Sequence, residues 1–340
     1  MNLMEDLRIP YQEIASQLEK QLLKFGFESE AANKCAALFA KTDLDGVRSH
    51  GVNRFPLFID FIKKGLVNPS ASPKIESSLG VFERYDGQLG PGNLNASFAM
   101  SRAIEISSEF GIGCVALKNT NHWMRGGTYG WQAVESGKIG LCFTNTKANM
   151  PAWGGSEPKL GNNPLIIAIP RKNGPVILDM AMSQFAYGKL ANYARSEMNA
   201  PYPAGFDEDG ELTTDPKPII KNEMALPAGM WKGAGLSLVI DMLAALLSGG
   251  DSTHQVNKTG TEIGLSQVFL CFDPKKLELE AWFDETCDKI IEDLKTSSVF
   301  EGQKVFYPGE SVLRNRKENL EKGVPVNKRI WNQILNELEK

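Results

Sequence analysis

Two apolar, β-rich runs, Leu165 to Ile169 and Val176 to Met180, flank the segment Arg171-Lys172-Asn173-Gly174. Asn-Gly is the strongest short hairpin signal, because both residues tolerate the positive φ that matches the right-handed twist of the flanking strands. Leu165 to Met180 is therefore read as an antiparallel hairpin. Any sheet that contains it is mixed, so a purely parallel, doubly wound architecture is excluded.

Further short β-rich runs at Gly113 to Leu117, Ile139 to Thr144 and Val268 to Phe272 alternate with helical pattern from about Val81 onward. The first seventy-odd residues differ. Tyr11 to Phe25 carries Ile14, Leu18, Leu22 and Leu23 at helical spacing, and Ser29 reads as the N-cap of a second helix with Ala31, Cys35, Leu38 and Phe39 inside. A third helix covers Phe55 to Lys64. Pro56 fits only its first turn, so the helix begins near Asn53 and His50 belongs to the entry loop. From about Ala281 the pattern is helical again, with Ile290, Ile291 and Leu294 on one face and Ile330, Ile334 and Leu338 on another. The expectation is an α/β protein with a mixed sheet at residues 79–280. A discontinuous helical domain built from residues 1–78 and 281–340 wraps it. No internal repeat is evident.

The chain has 340 residues, 42% apolar and 23% charged, without low-complexity tracts, and is long enough for a large core. A net charge of -4 argues against broad binding to nucleic acid or anionic membrane, so an acidic substrate needs a local basic pocket. Cys35, Cys114, Cys142, Cys271 and Cys287 are odd in number and scattered, which reads as reduced thiols of a cytoplasmic protein. The N-terminus lacks the apolar core of a signal peptide, and the most apolar run, Leu236 to Ser248, is short and carries Asp241, so no membrane span is expected.

Only three histidines occur, and two lie in stretches that make poor core: Arg48-Ser49-His50-Gly51-Val52-Asn53-Arg54 and Asn121-His122-Trp123-Met124-Arg125-Gly126-Gly127-Thr128-Tyr129-Gly130-Trp131. An imidazole can exchange a proton near neutrality, and a guanidinium can grip a carboxylate with two prongs; together they suit a dehydrogenase of oxo acids. The Gly-x-Gly-x-x-Gly turn of the common nicotinamide fold is missing. Gly233-Ala234-Gly235 comes nearest, after a loop rather than a strand; it could set amides against a phosphate or simply allow close packing. Hydrolase, NTPase and zinc signatures are absent too. Trp123, Trp131, Trp153 and Trp231 stand near glycines, as core or rim packing or as stacking platforms for a planar cofactor.

Ser49-His50-Gly51-Val52-Asn53-Arg54, His122 to Trp131, Asn162-Asn163-Pro164-Leu165, Asp179 to Ser183 and Trp231 to Gly235 occur in the order seen in the type-2 malate/L-lactate dehydrogenase family, which the chain resembles over nearly its whole length. The resemblance implies a nicotinamide-binding fold unrelated to the Rossmann domain, NAD as cofactor with NADH preferred and NADPH possible, and a homodimer. It implies His50 as proton donor and Arg54 close to the substrate. Cofactor contacts map onto Pro175, Val176, Ile177, Leu178, Asp179, Met180 and Ala181, then Trp231 and Lys232, and then Gly309, Glu310 and Ser311, where the family pattern is only partly kept. The His-Trp-Met-Arg-Gly-Gly stretch separates the branch acting on a 2,3-dioxo sugar acid from the malate, ureidoglycolate and sulfolactate branches.

The expected reaction is hydride reduction of a 2-oxo group beside a carboxylate. His50 would protonate the nascent alkoxide, and Arg54, with Arg48, would hold the carboxylate. Arg125 is the next arginine in line. Asp179 could accept a hydrogen bond from His50 and raise its pKa, or be an ordinary strand-end carboxylate; His122 would orient substrate or cofactor, and His254 is a loop residue. Rival readings are a dehydrogenase of smaller 2-hydroxy acids, a non-catalytic sugar-acid binding protein and a purely structural protein.

Overall fold

The computed structural model describes residues 6–339. The first part of the chain runs through β1 (Asp6–Ile9), α1 (Tyr11–Lys24), α2 (Ser29–Leu44), a single 3-10 turn (Val52–Arg54) and α3 (Phe55–Lys63). Next come the strand pair β2 (Lys74–Leu79) and β3 (Phe82–Asp86), then α4 (Gly92–Phe110), β4 (Ile112–Asn121), α5 (Gly127–Glu135) and β5 (Ile139–Thr144). A ribbon of β6 (Ala148–Pro151) and β7 (Pro158–Gly161) precedes β8 (Leu165–Ile169) and β9 (Val176–Met180). They are followed by α6 (Tyr187–Arg195), the ribbon β10 (Gly205–Phe206) and β11 (Leu212–Thr213), α7 (Pro216–Asn222), α8 (Trp231–Ser248), α9 (Thr253–Lys258) and β12 (Ile263–Phe272). The last elements are α10 (Glu280–Lys295), α11 (Glu310–Lys322), β13 (Val324–Asn327) and α12 (Lys328–Glu339).

The main sheet has seven strands in the order β2-β3-β4-β12-β5-β8-β9, and only the β3-β4 pairing is parallel. It is the mixed sheet that the hairpin required. β8 and β9 pair antiparallel from Leu165↔Met180 to Ile169↔Val176, and the chain reverses through Gly174 at φ +105°. β12 is central and almost wholly buried, because α4 and α5 cover one face of the sheet and α8 the other. β4 and β12 are both longer than their apolar runs. Their polar ends, such as Thr120, Asn121, Ser266 and Gln267, are buried in the sheet, and Gly264 at φ +71° sits at the register shift between Ile263 and Leu265 of β12. β2 and β3 carried no clear apolar signal because they form one edge of the sheet, with β2 largely exposed.

A separate core joins α1, α2 and α3 to the end of the chain. β1 pairs antiparallel with β13, Asp6↔Asn327 to Ile9↔Val324, and Trp331 and Ile334 of α12 pack among Ile14, Leu18, Leu22 and Phe39. Three local expectations are corrected. Ser29 is not the N-cap: Ala32 N bonds to Glu28 O, so Glu28 caps without a side-chain bond and Ala32, Cys35, Ala36, Phe39 and Ala40 take the inner face. Leu23 is exposed, since the 14-18-22 stripe leaves it about 100° around the helix. On α10, Ile290 and Leu294 face solvent, and the helix is tied to the β8-β9 turn by the pairs Arg171–Asp288 and Lys172–Asp284. The side chain of Leu338 lies outside the described residues.

α8 is longer than its apolar run: 18 residues, apolar enough to match a membrane span in length, with a third of it buried. Ala234, Ser237, Ile240, Ala244 and Ser248 form the buried stripe on the sheet. Its outer face, including Leu238, Val239, Met242 and Leu246, is apolar and exposed.

Candidate active site

A cavity of about 410 Å³ opens where the helical core meets the sheet. One wall comes from the loop after α2. Gly51 must be glycine: a Cβ there would lie 1.8 Å from Asp43 Oδ2, and the same buried carboxylate accepts a hydrogen bond from Val52 N. Asp43 thereby fixes the entry to the 3-10 turn and the place of His50, which lines the cavity with Ser49 Oγ 2.7 Å from its Nδ1. Burial pushes the Asp43 carboxyl up to about 7, against the lowering effects of Val52 N–H and Arg48.

His122 enters from the end of β4 and stacks on His50, ring centroids 5.9 Å apart at 18°. Met124 N donates to His122 Nδ1 at 3.0 Å, through a turn in which Met124 adopts φ +66°, so the ring proton of neutral His122 sits on Nε2. Both imidazoles resist protonation. Burial lowers His50 to about 4, with help from the charges of Arg54 and Arg125; burial, with Arg54 and His50, holds His122 well below its usual value. Arg54 is not among the residues lining the cavity, but its charge acts on both rings; its Nη2 is 3.7 Å from Glu262 Oε2, and burial raises Glu262.

The opposite wall is the end of β9 with the start of α5. Gly127 N donates to Asp179 Oδ2 at 2.9 Å, and a Cβ on Gly127 would fall 2.5 Å from that oxygen; one on Gly126 would fall 2.3 Å from Ile166 Cδ1, so both glycines are required at this helix start. Desolvation raises Asp179, opposed by Arg125 and by the Gly127 amide. Of the two readings open for Asp179, the hydrogen bond to His50 is not made: its Oδ2 is taken by the Gly127 amide, and Arg125 Nε is 3.8 Å away. Ile177, Leu178 and Ala181 line the cavity beside it.

A third wall comes from the end of the chain. Ile177 N donates to Pro308 O, and Gly309, at φ +96°, lies so close to β9 that a Cβ would meet Ile177 N at 3.1 Å. Pro308, Gly309 and Val312 face the cavity. Glu310 turns to Lys295, and Ser311 is exposed. Two segments about 130 residues apart in sequence thus meet as one ligand wall.

Other expected site residues stand elsewhere. Arg48 is outside the cavity, since both prongs of its guanidinium are taken by Asp6 at 2.6 and 2.8 Å. Trp231 and Lys232 are exposed at the head of α8, away from the cavity. Gly233 and Gly235 lie inside that helix rather than in a phosphate loop; Gly233 N is bonded to Ala228 O, and a Cβ there would meet that oxygen at 2.4 Å, so close packing is the reason for Gly233. Pro175, Val176 and Met180 belong to the β9 stretch without lining the cavity. His254 is in the first turn of α9. The sequence reading missed Glu262, Asp43, Asp45 and Arg316; two acids near the end of an apolar helix before Gly46 were the one available signal.

A family profile described as malate/L-lactate dehydrogenase matches residues 9–335. The 2,3-diketo-L-gulonate reductases of Escherichia coli O139:H28 and Citrobacter koseri are each 43% identical over 331 residues, covering 96% of this chain and 99% of theirs. Among solved structures, a malate dehydrogenase from Entamoeba histolytica superposes with a TM-score of 0.93 at 26% identity, covering 98% of both chains. A sulfolactate dehydrogenase from Methanocaldococcus jannaschii does so at 0.89 and 32% identity, again over 98% of both.

Proposed function

The chain belongs to the malate/L-lactate dehydrogenase family, and from that membership we propose that it uses NAD(P)H to reduce the C2 carbonyl of 2,3-diketo-L-gulonate to the alcohol of 3-dehydro-L-gulonate. It is an oxidoreductase. The observation that carries the reading is the cavity, where two stacked imidazoles face a slot walled by β9 and the Pro308-Gly309 turn. Its size lies in the usual range of small-molecule sites.

The slot suits a nicotinamide dinucleotide. Trp131 Nε1 and Arg125 Nε, both on its walls, are buried without a hydrogen-bond partner. Ile177, Leu178, Asp179, Ala181, Pro308 and Gly309 would hold the cofactor, which supplies the hydride when bound. Arg125 is the only Lys or Arg on the wall among the described residues and is already paired with Asp45, so no spare cation awaits a 2'-phosphate. That favours NADH.

His50 delivers the proton to the carbonyl oxygen as it turns into an alkoxide. The free imidazole is neutral, so the proton must arrive with the substrate. A carboxylate placed against Arg54 offsets the charge that depresses His50 and displaces the weak Glu262 pairing. His122 orients the second oxo group, and Asp179 serves the cofactor rather than His50. We place the enzyme in the cytoplasm as a homodimer whose contact surface is the outer face of α8.

The test is a panel of 2-oxo acids assayed by consumption of NADH and of NADPH. The highest kcat/KM is expected for 2,3-diketo-L-gulonate with NADH. A higher value for oxaloacetate, pyruvate or sulfopyruvate would hand the site to the smaller 2-hydroxy acids, the reading that the malate and sulfolactate dehydrogenase neighbours favour.

A further inference from the structure

A chain of four charged side chains, buried at Asp45 and Arg125 and reaching solvent at Arg316 and Asp179, links the two far walls of the cavity. Asp45, one residue past α2 and 1% exposed, accepts from Arg125 Nη1 at 2.5 Å and from Arg316 Nε and Nη2 at 2.7 and 3.1 Å. Arg125 continues the chain to Asp179, with its Nε 3.8 Å from Oδ2. Arg316, on α11, lays its guanidinium 4.3 Å from the centroid of the Trp131 ring; Glu135, 3.8 Å away, flanks it on the outside. Arg125, Asp179 and Trp131 are all cavity wall, and α11 begins at the Pro308-Gly309 turn and sets Val312 against the cavity.

We propose that Asp45 is a positioning residue for the cofactor slot: one buried carboxylate that holds Arg125, and through it Asp179, on one side and Arg316, and through it the α11 wall, on the other. Asp45 touches neither the cavity nor the imidazoles. Its three hydrogen bonds come from α11 and from the loop before α5, two segments that are otherwise joined across the slot by few polar contacts. A rigid carboxylate between two planar guanidiniums fixes direction as well as distance, which a lysine or an amide in the same place would not. A ligand that fills the slot leans on both arms, so the tie sets how well the slot is formed before the ligand arrives. The cofactor half of this inference rests on the nicotinamide reading above; the mechanical half does not.

The experiment compares Asp45→Asn, Arg316→Gln and the double variant with the wild type, all as the full chain. Asn keeps the size and one acceptor oxygen but loses the charge; Arg316→Gln removes only the outer arm, so it reports even if Asp45→Asn fails to fold. In the free protein, hydrogen exchange over residues 305–316 should quicken in each variant. NADH fluorescence titration should show a dissociation constant raised by about 5- to 150-fold, the usual span of coupling between linked sites. KM for the 2-oxo acid and kcat at saturation should change little, which a general loss of structure would not produce. The double variant should bind NADH no worse than Asp45→Asn alone, because both substitutions cut one chain. Unchanged exchange in the free variants, unchanged NADH affinity, or additive losses in the double variant would each overturn the tie. If the wild type itself fails to bind NADH, the nicotinamide reading falls, and exchange in the free protein alone decides whether Asp45 holds the wall.

Discussion

Burial and two nearby guanidiniums keep the His50 imidazole neutral in the free protein, so its proton and the anionic substrate must bind together. Replacing it with glutamine should lower turnover by roughly 10²- to 10⁴-fold, the usual worth of a positioned acid, while NADH titration stays normal. Near-normal turnover would remove His50 from the chemistry. The same depressed pKa has a stability consequence. Its folded value, about 4, lies below 6.5, so the native state prefers the neutral ring; that stability is complete above pH 6.5 and is lost as pH falls towards 4. The loss amounts to about 3 kcal/mol at most, and His50→Gln should flatten the fall of urea midpoints between pH 7 and 4.5. Parallel curves for both proteins would mean that His50 titrates normally. At this scale the two histidines were legible because so few exist and both sit among glycines and arginines. Arg48 was misread because its partner, Asp6, lies 42 residues away on a strand that no local pattern reveals. Between a partner of His50 and an ordinary strand-end carboxylate, sequence order leaves Asp179 open, since it cannot tell that a glycine amide reaches it first.

The β8-β9 hairpin could be read from its turn and the apolar, β-rich runs beside it, and all its strand ends agree with the structure because every determinant is local. The wall that completes the slot is not local: Gly309 meets Ile177 only through the fold, and the Gly233-Gly235 pair that looked like a phosphate loop belongs to a packed helix. Two predictions belong here. Gly127→Ala puts a methyl 2.5 Å from the Asp179 carboxylate, too close for either group to stay in place, so NADH binding should weaken while the far-UV spectrum is kept. Unaltered NADH affinity in that variant would detach Asp179 from the cofactor. Adding NADH to the wild type should slow hydrogen exchange over Val305 to Leu313, because a ligand lodged between β9 and the Pro308-Gly309 turn stabilises only the docked state. Equal exchange with and without saturating NADH would take that turn out of the cofactor site.

For the whole molecule, the unsolved surface is the outer face of α8. Leu238, Val239, Met242 and Leu246 lie along it exposed, the last at 77%, on a helix whose other stripe is anchored to the sheet. An apolar strip of this kind is rare on a monomer, and closed two-fold contact between copies is the commonest way to cover one. Composition alone pointed only to an apolar helix; that half of it stays uncovered becomes visible once the sheet has taken its share. Leu246→Glu tests the cover. On a monomer, a charge at so exposed a site changes stability by about 0.5 kcal/mol or less. In a dimer built on α8, the same carboxylate is buried without a partner in each copy, and the penalty falls on association. Sedimentation at micromolar protein should show the wild type as a dimer and Leu246→Glu as a monomer, with Leu320→Glu, 58% exposed on α11, as a dimeric control. The wild type's urea midpoint should also rise with protein concentration while that of Leu246→Glu does not, since only coupled association makes stability depend on concentration. A wild-type monomer, or a Leu246→Glu variant that sediments as a dimer, would remove α8 as the contact.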